Sequence, residues 1–288
     1  MDTVLKSKAK TITIGSDKPF CIIGERINPT SRKKFSEELR EGNLDTVVVD
    51  TRSQVEAGAD VLDVNAGIPL VDEAELLSKM LTLIQETTDV PICIDSSVIE
   101  ALEAGLGVYE GKALVNSVTG EDDRLDEILP LVAKHGAAVI GLANDETGIP
   151  ETPQHRLEIA TKIVNAAGDH GIPPEDVVID PLAMTVGADT EAVTTTLQAI
   201  RLIRDNLGVN MCLGASNVSF GLPERHVLNA AFLPMAMAAG LTSAIMSTAS
   251  VCVESVRAAD LLLGHDPWGA NWIAAHRARQ KSEAVGAA

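Results

Sequence analysis

Several apolar runs in this chain stop on a carboxylate or an amide, groups that can bind and orient a polar ligand. Pro91-Ile92-Cys93-Ile94-Asp95-Ser96 ends on Asp95 and Val61-Leu62-Asp63-Val64-Asn65 on Asn65. Ala113-Leu114-Val115-Asn116 ends on Asn116, Val177-Val178-Ile179-Asp180 on Asp180, and Cys212-Leu213-Gly214-Ala215-Ser216-Asn217 on Asn217. Successive side chains of a strand alternate faces, so Asp63 and Asn65 share one face, and Cys93 and Asp95 share another. Glu25 and Asn28 stand in a polar loop after an earlier apolar run. Together Glu25, Asn28, Asp63, Asn65, Asp95, Asn116, Asp180 and Asn217 would line one rim. An ionised Asp only accepts hydrogen bonds, whereas an Asn both donates and accepts. Such a set can read a flat heterocycle that carries several N–H groups and a carbonyl. It would do so selectively, because a ligand lacking one bond leaves a buried group unpaired. One Asp or Asn at a strand end is an ordinary turn or cap residue. The same placement repeated along the chain needs another reason.

Two other chemistries compete for these residues. Carboxylate clusters bind Mg²⁺ or Ca²⁺, and zinc would want His or Cys nearby. The histidines His135, His155, His170, His226, His265 and His276 all fall on predicted helices or in loops away from the strand ends. No protein-bound metal is therefore expected. Nucleophilic catalysis would want a Gly-x-Ser-x-Gly elbow or a His base at a strand end, and neither is present.

The elements that would hold this rim follow from periodicity. Strands are expected at 20–24, 60–65, 91–95, 112–116, 137–143, 176–180, 210–216 and 243–248. Helices are expected near 45–58, 72–88, 97–106, from 122 on, 154–170, 190–206, 223–239 and 251–263. Leu76, Leu77, Met80, Leu81 and Ile84 form one helical stripe in the second of these. Alternating strands and helices imply a parallel sheet with right-handed crossovers. Eight units favour a closed α/β (β/α)8 barrel, in which chemistry sits at the C-terminal ends of the strands. An open doubly wound sheet would want GxGxxG after the first strand, where it is absent. Residues 1–288 read as a single barrel domain with its core at about 20–263. Polar residues 1–19 would cap the barrel bottom. Residues 264–288 would add a short helix around Trp272 and a frayed tail, Ser282 to Ala288.

The 288 residues carry a formal net charge of −18, which argues against nucleic acid and against an anionic membrane surface. Cys21, Cys93, Cys212 and Cys252 form no CxxC pair, and three of them sit in predicted core strands. Buried thiols and the lack of a secretory leader lead us to expect a reducing, cytoplasmic setting. The nearly apolar run 230–246 is interrupted by Pro234 and Gly240 and reads as a core helix and a strand.

Six motifs in order now carry a resemblance: Gly24-Glu25-Arg26-Ile27-Asn28, Leu62-Asp63-Val64-Asn65, Ile94-Asp95-Ser96, Val115-Asn116-Ser117, Ile179-Asp180-Pro181-Leu182 and Ser216-Asn217-Val218-Ser219. The chain resembles the pterin-binding methyltransferases. These include methyltetrahydrofolate:corrinoid protein methyltransferases and the folate domain of cobalamin-dependent methionine synthase, with dihydropteroate synthase more distant. The resemblance implies a dihydropteroate synthase-like TIM barrel. It implies that Asp95, Asn116 and Asp180 read the pterin, that Asn217 stands near N5 of the folate, and that Glu25 and Asn28 form the opening folate loop. It places Arg225 beside the pterin and Asn65 and Ser219 at the rim.

The implied substrates are tetrahydrofolate or 5-methyltetrahydrofolate, with cobalamin carried by a separate corrinoid protein. No Asp-x-His-x-x-Gly motif is present with which the chain would hold cobalamin itself. The alternatives are a dihydropteroate synthase, whose Lys and Ser-x-Arg pattern is not evident, and a non-catalytic folate-binding barrel. A homodimer is expected from the family habit and from apolar positions in excess of one core, such as Met235 and Met237.

Overall fold

The chain opens with strands β1 (Asp2–Lys6) and β2 (Thr11–Gly15), which pair antiparallel as a hairpin. Eight parallel strands follow: β3 (Cys21–Ile27), β4 (Val61–Asn65), β5 (Ile92–Asp95), β6 (Leu114–Thr119), β7 (Ala138–Leu142), β8 (Val177–Asp180), β9 (Cys212–Gly214) and β10 (Ser243–Met246). Between and after them run α1 (Lys33–Arg40), α2 (Asp45–Glu56), α3 (Glu73–Thr87), α4 (Ile99–Val108), α5 (Asp122–His135), α6 (Pro153–Asp169), α7 (Ala192–Leu207), α8 (Arg225–Ala239), α9 (Ser250–Leu263) and α10 (Ala270–Gly286). These elements come from a computed structural model that describes residues 1–286. The strand order is β8-β7-β6-β5-β4-β3-β10-β9. A parallel bridge from Ile179 to Met211 joins β8 to the start of β9, with Ile179 N donating to Asn210 O at 2.9 Å, and the barrel closes there.

Alternation along the strands builds two apolar layers. Ile22, Leu62, Val64, Ile94, Val115 and Ile179 point outward into the helices. Cys21, Ile23, Val61, Cys93, Leu114, Val178 and Cys212 point into the barrel. Small Cys, Ala and Val inside let eight strands close without overpacking. The helices start and stop where local chemistry allows. Asp72 caps α3 by accepting from Glu75 N at 3.0 Å, and Thr152 caps α6 ahead of Pro153. Gly136 ends α5 at φ 59°, a conformation that an L side chain resists. Pro234 lies within α8 rather than breaking it, and no described helix is long and apolar enough to cross a membrane.

Residues 1–19 are more than a polar cap. Leu5 and Ile14 of the hairpin are fully buried and belong to the interior layer. Their neighbours Lys6, Lys8 and Lys10 hide the hairpin in a composition scan, because one face of the hairpin faces water. Lys6 and Lys112 exchange backbone bonds of 3.0 and 2.8 Å, and Asn210 Nδ2 donates to Ile14 O at 2.9 Å. Two other expectations change. The seventh barrel strand stops at Gly214, and a 3-10 turn, Ala215–Ser219, replaces its end. Helix α10 continues through Gly286, so 282–286 are helical rather than frayed, while Ala287 and Ala288 lie outside the described residues.

Ile14→Ala should lower unfolding free energy by about 2–4 kcal/mol, the usual cost of emptying a packed aliphatic site. Urea unfolding checks it, and a loss below about 1 kcal/mol would mean that the hairpin does not plug the barrel.

Candidate functional site

The C-terminal ends of β4 and β5 lie beside the middle of β6, in register Asn65–Asp95–Asn116. β4 and β5 stop here, at Asn65 and Asp95, while β6 runs on to Thr119 past a register shift after Asn116, and all three side chains are half-buried at the mouth. Asn65 Oδ1 accepts from Gly67 N at 2.8 Å, which closes a local turn, and Asn65 stands in register beside Asp95. Asp63, expected at the rim, lies one layer lower. It pairs in register with Cys93, is 2% exposed, and accepts from Asn116 Nδ2 at 3.1 Å. The two-residue period explains this: Asp63 shares the inward face with Asn65 but sits deeper.

Asp180 ends β8 on the other side of β6 and β7, and it is also buried. Its Oδ1 accepts from Leu182 N at 2.7 Å and its Oδ2 from Gly214 N at 3.4 Å. Asn217 is exposed, on the 3-10 turn rather than on a strand. Its amide lies over Gly214, where a Cβ would come within 3.0 Å of Nδ2. Gly214 thus leaves room for the Asn217 amide beside the backbone N–H that holds Asp180. Glu25 is half-buried at the opposite seam and accepts from Ser216 Oγ at 3.0 Å.

Three expected residues do other work. Asn28 Oδ1 accepts from Thr30 N at 2.9 Å and shapes its own loop. Arg225 is exposed and braces the turn from outside, donating to Ser216 O at 2.7 Å and to Ser219 Oγ at 3.2 Å. Ser219 is fully buried beneath that turn instead of facing the mouth. Residues not singled out from the sequence complete the site. Asn229 of α8 is buried and donates to Ser216 Oγ at 3.3 Å. Arg156 of α6, also buried, donates to the carbonyls of Pro181 and Leu182 at 2.8 and 2.7 Å and to Pro150 O at 3.1 Å. It ties the loop after β7 to the loop after Asp180. Both residues interrupt apolar helical stripes, and that was the available signal.

The electrostatics are set by desolvation. Burial pushes Asp180 up to about 6, against the Leu182 and Gly214 N–H bonds and the Arg156 charge. Burial pushes Asp95 up to about 6 as well, with the Asn65 bond opposing and Glu73 adding. Asp63 is driven well above the usual carboxylate range by burial and then by the Asp95 charge, while bonds from Asn116 and Cys93 pull it down. Burial also raises Glu25, against the Ser216 hydroxyl and the charges of Arg225 and His226. Among the described residues, Asp63, Asp95 and Asp180 form no salt bridge, and no group of three or more His, Cys, Asp or Glu is placed to hold a metal ion. The mouth presents carboxyls held by neutral donors rather than by salt bridges among the described residues.

A model of the family described as "Pterin binding enzyme" matches residues 24–247. The chain belongs to that family. Among curated proteins this pterin-binding enzyme is 33% identical to a methylcorrinoid:tetrahydrofolate methyltransferase of Eubacterium limosum, over 85% of this chain and 92% of that one. It is 32% identical to methionine synthase of Mycobacterium tuberculosis, over 83% of this chain but only 21% of that longer protein. Among solved structures, 7,8-dihydropteroate synthase from Vibrio fischeri ES114 superimposes with a TM-score of 0.71 at 16% identity, covering 92% of this chain and 99% of that one. A Yersinia pestis DHPS with a pterine-sulfa conjugate gives 0.69 at 15% identity, covering 90% and 98%. These two likenesses establish the dihydropteroate synthase-like TIM barrel, and the fold alone.

A raised carboxyl costs folding stability once it ionises. Asp95 has a folded value of about 6, above its usual 3.8, so the folded state holds the proton more tightly between those values. Stability from this group therefore falls as pH rises from about 4 to 6 and stays reduced above. Asp95→Asn should melt at a higher temperature than the parent at pH 8, with the gain vanishing near pH 4. Thermal melts across pH test this, and an equal gain at both ends would refute it.

Proposed function

We propose that this enzyme moves a methyl group between N5 of tetrahydrofolate and the cobalt of a corrinoid carried by a separate protein. The observation that carries the reading is the bank of desolvated acceptors, Asp95, Asn116 and Asp180, without a cationic partner. A reduced pterin presents an aminopyrimidinone edge rich in N–H groups, which these acceptors suit. The 33% identity to a methylcorrinoid:tetrahydrofolate methyltransferase over nearly all of both chains supports the choice of reaction. That relative's name runs from methylcorrinoid to tetrahydrofolate, and we adopt that direction here. A dihydropteroate synthase reading has only the fold behind it.

In that direction N5 supplies the electron pair and the methyl leaves cobalt as the Co–C bond breaks. Methylcobalt(III) becomes cobalt(I), and the N5 proton is lost as the amine is alkylated. In reverse, cobalt(I) attacks the methyl carbon, and N5 leaves well only if it is protonated or hydrogen-bonded. Asp95, Asn116 and Asp180 hold the pterin for in-line transfer, an entropic contribution. Asn217, on its turn over Gly214, brings a neutral amide to N5, where charge changes in the transition state. Glu25 and Asn28 shape the loop over the folate, and Arg225 steadies the Asn217 turn. Cobalamin belongs to the partner.

The rim suits a protein partner. Leu70, Val98, Ile149, Met184 and Phe220 are each exposed and each follows a different barrel strand, and exposed Val251 lies in the first turn of α9 after β10. Exposed apolar groups gathered on one face mark an interaction surface. The enzyme works in the cytoplasm as a homodimer that leaves this face open. Of the two methionines considered for that contact, Met237 is buried and Met235 is exposed on α8.

The test is to mix the protein with 5-methyltetrahydrofolate and cob(I)alamin and follow the cobalamin spectrum. Conversion to methylcobalamin supports the reading, and none at high enzyme concentration refutes it. Asn217→Ala should lower kcat by roughly 10²–10³, the scale of losing one preorganised donor. Its folate Kd should change less than that of Asp95→Ala, for which about 1–3 kcal/mol of binding is expected. The opposite ranking would make Asn217 a ground-state contact.

A further inference from the structure

Asp63 is a buried carboxyl that the mechanism above does not use. It lies one layer beneath Asn65 and Asp95, is 2% exposed, and forms no salt bridge among the described residues. Its Oδ1 takes an N–H of Asn116 at 3.1 Å, and Cys93 stands beside it in register on the neighbouring strand. The two ends of an amide are nearly the same size and are told apart by their partners. A carboxyl oxygen below Asn116 accepts its NH₂ end and repels its carbonyl end.

We propose that Asp63 is a positioning residue for the ligand site: by holding the amide nitrogen of Asn116 it fixes which end of that amide faces the mouth. Asn116 then offers the ligand its carbonyl oxygen, with the second N–H of the same amide beside it. An acceptor and a donor are presented in one order only. The matching ligand edge carries an N–H next to an acceptor nitrogen, in the complementary order. An edge with those two groups exchanged meets like against like and is rejected, because the buried mismatch has no water to relieve it. Asp95, in register beside Asn116, extends the row with a second acceptor. The inference rests on the reading of this mouth as a pterin site, and it names what sets that site's polarity.

The test is a volume-conserving exchange at pH 8. Asn116→Asp alone sets two carboxyls against each other. It should lower the melting temperature and weaken 5-methyltetrahydrofolate binding by roughly 100-fold or more, since a buried acceptor loses its donor. The double variant Asp63→Asn with Asn116→Asp restores the pair with donor and acceptor reversed. An acceptor still faces the ligand, so binding should recover by at least about tenfold over Asn116→Asp, a coupling expected only of groups in contact. The melting temperature should return most of the way to the parent value. Asp63→Asn alone can present either end of its own amide to Asn116, so the Asn116 orientation is no longer fixed and binding should weaken by several-fold.

If the double variant binds and melts no better than Asn116→Asp, or if the two effects simply multiply, the proposal is overturned. The thermal cycle is read without folate, so it judges the Asp63–Asn116 pair even if the parent protein were to bind no folate. That last result would overturn the functional reading instead.

Discussion

The constraint on which the site depends is the removal of carboxyl groups from water with no salt bridge to them among the described residues. Asp63 and Asp180 are buried, and Asp95 is pushed up to about 6 chiefly by the same desolvation. An isolated buried carboxylate is costly, and proteins usually pair it with Lys or Arg or leave it protonated. Here the hydrogen-bond partners are neutral: the Asn116 amide on Asp63, and the N–H groups of Leu182 and Gly214 on Asp180. Neutral donors hold the carboxyls in place without cancelling their charge. The acceptor strength that a ligand would meet is therefore kept, at a cost to the stability of the empty protein.

The barrel makes that arrangement possible. Strands paired in register put inward polar side chains on one ring, while the residues below pack dry. Leu5 and Ile14 close the opposite end from within, so the interior has one polar mouth rather than a channel. Buried Arg156 spends its donors on the carbonyls around Pro181 and Leu182 instead of on Asp180 directly. It fixes the turn that feeds Asp180 its backbone N–H and lowers the charge penalty only through space. On the far side, Arg225 and buried Asn229 hold the short turn that carries Asn217.

Much of this was legible in the amino-acid order, for physical reasons. Buried parallel strands read as short apolar runs, and a polar residue ending each run is visible without any structure. All eight barrel strands were expected within a few residues of where they lie. What stayed hidden had weak periodic signals or depended on contacts distant in sequence. The hairpin's two inward residues are masked by interleaved lysines. Helix α1 is charged enough to read as loop. The end of the seventh strand gives way to a 3-10 turn because Ala215-Ser216-Asn217 is held by Glu25, Arg225 and Asn229 from elsewhere in the chain. Ser219 and Asn28 have rim-like sequence positions but spend their polar atoms on local structure. Asp63 was visible as part of the polar set, but its depth emerges only from strand register.

The account's central claim is that a ligand's N–H groups complete these desolvated carboxyls, and the most direct test is to count protons on binding. Burial leaves Asp95 and Asp180 each titrating at about 6 in the free protein, so a fraction of both is protonated at pH 6. A pterin that donates to the ionised forms must displace those protons. Calorimetric titration with 5-methyltetrahydrofolate at pH 6, in buffers of different ionisation heat, should show net proton release that disappears by pH 8. Binding without proton release at pH 6, or with uptake, would contradict the claim that Asp95 and Asp180 meet the ligand as carboxylates.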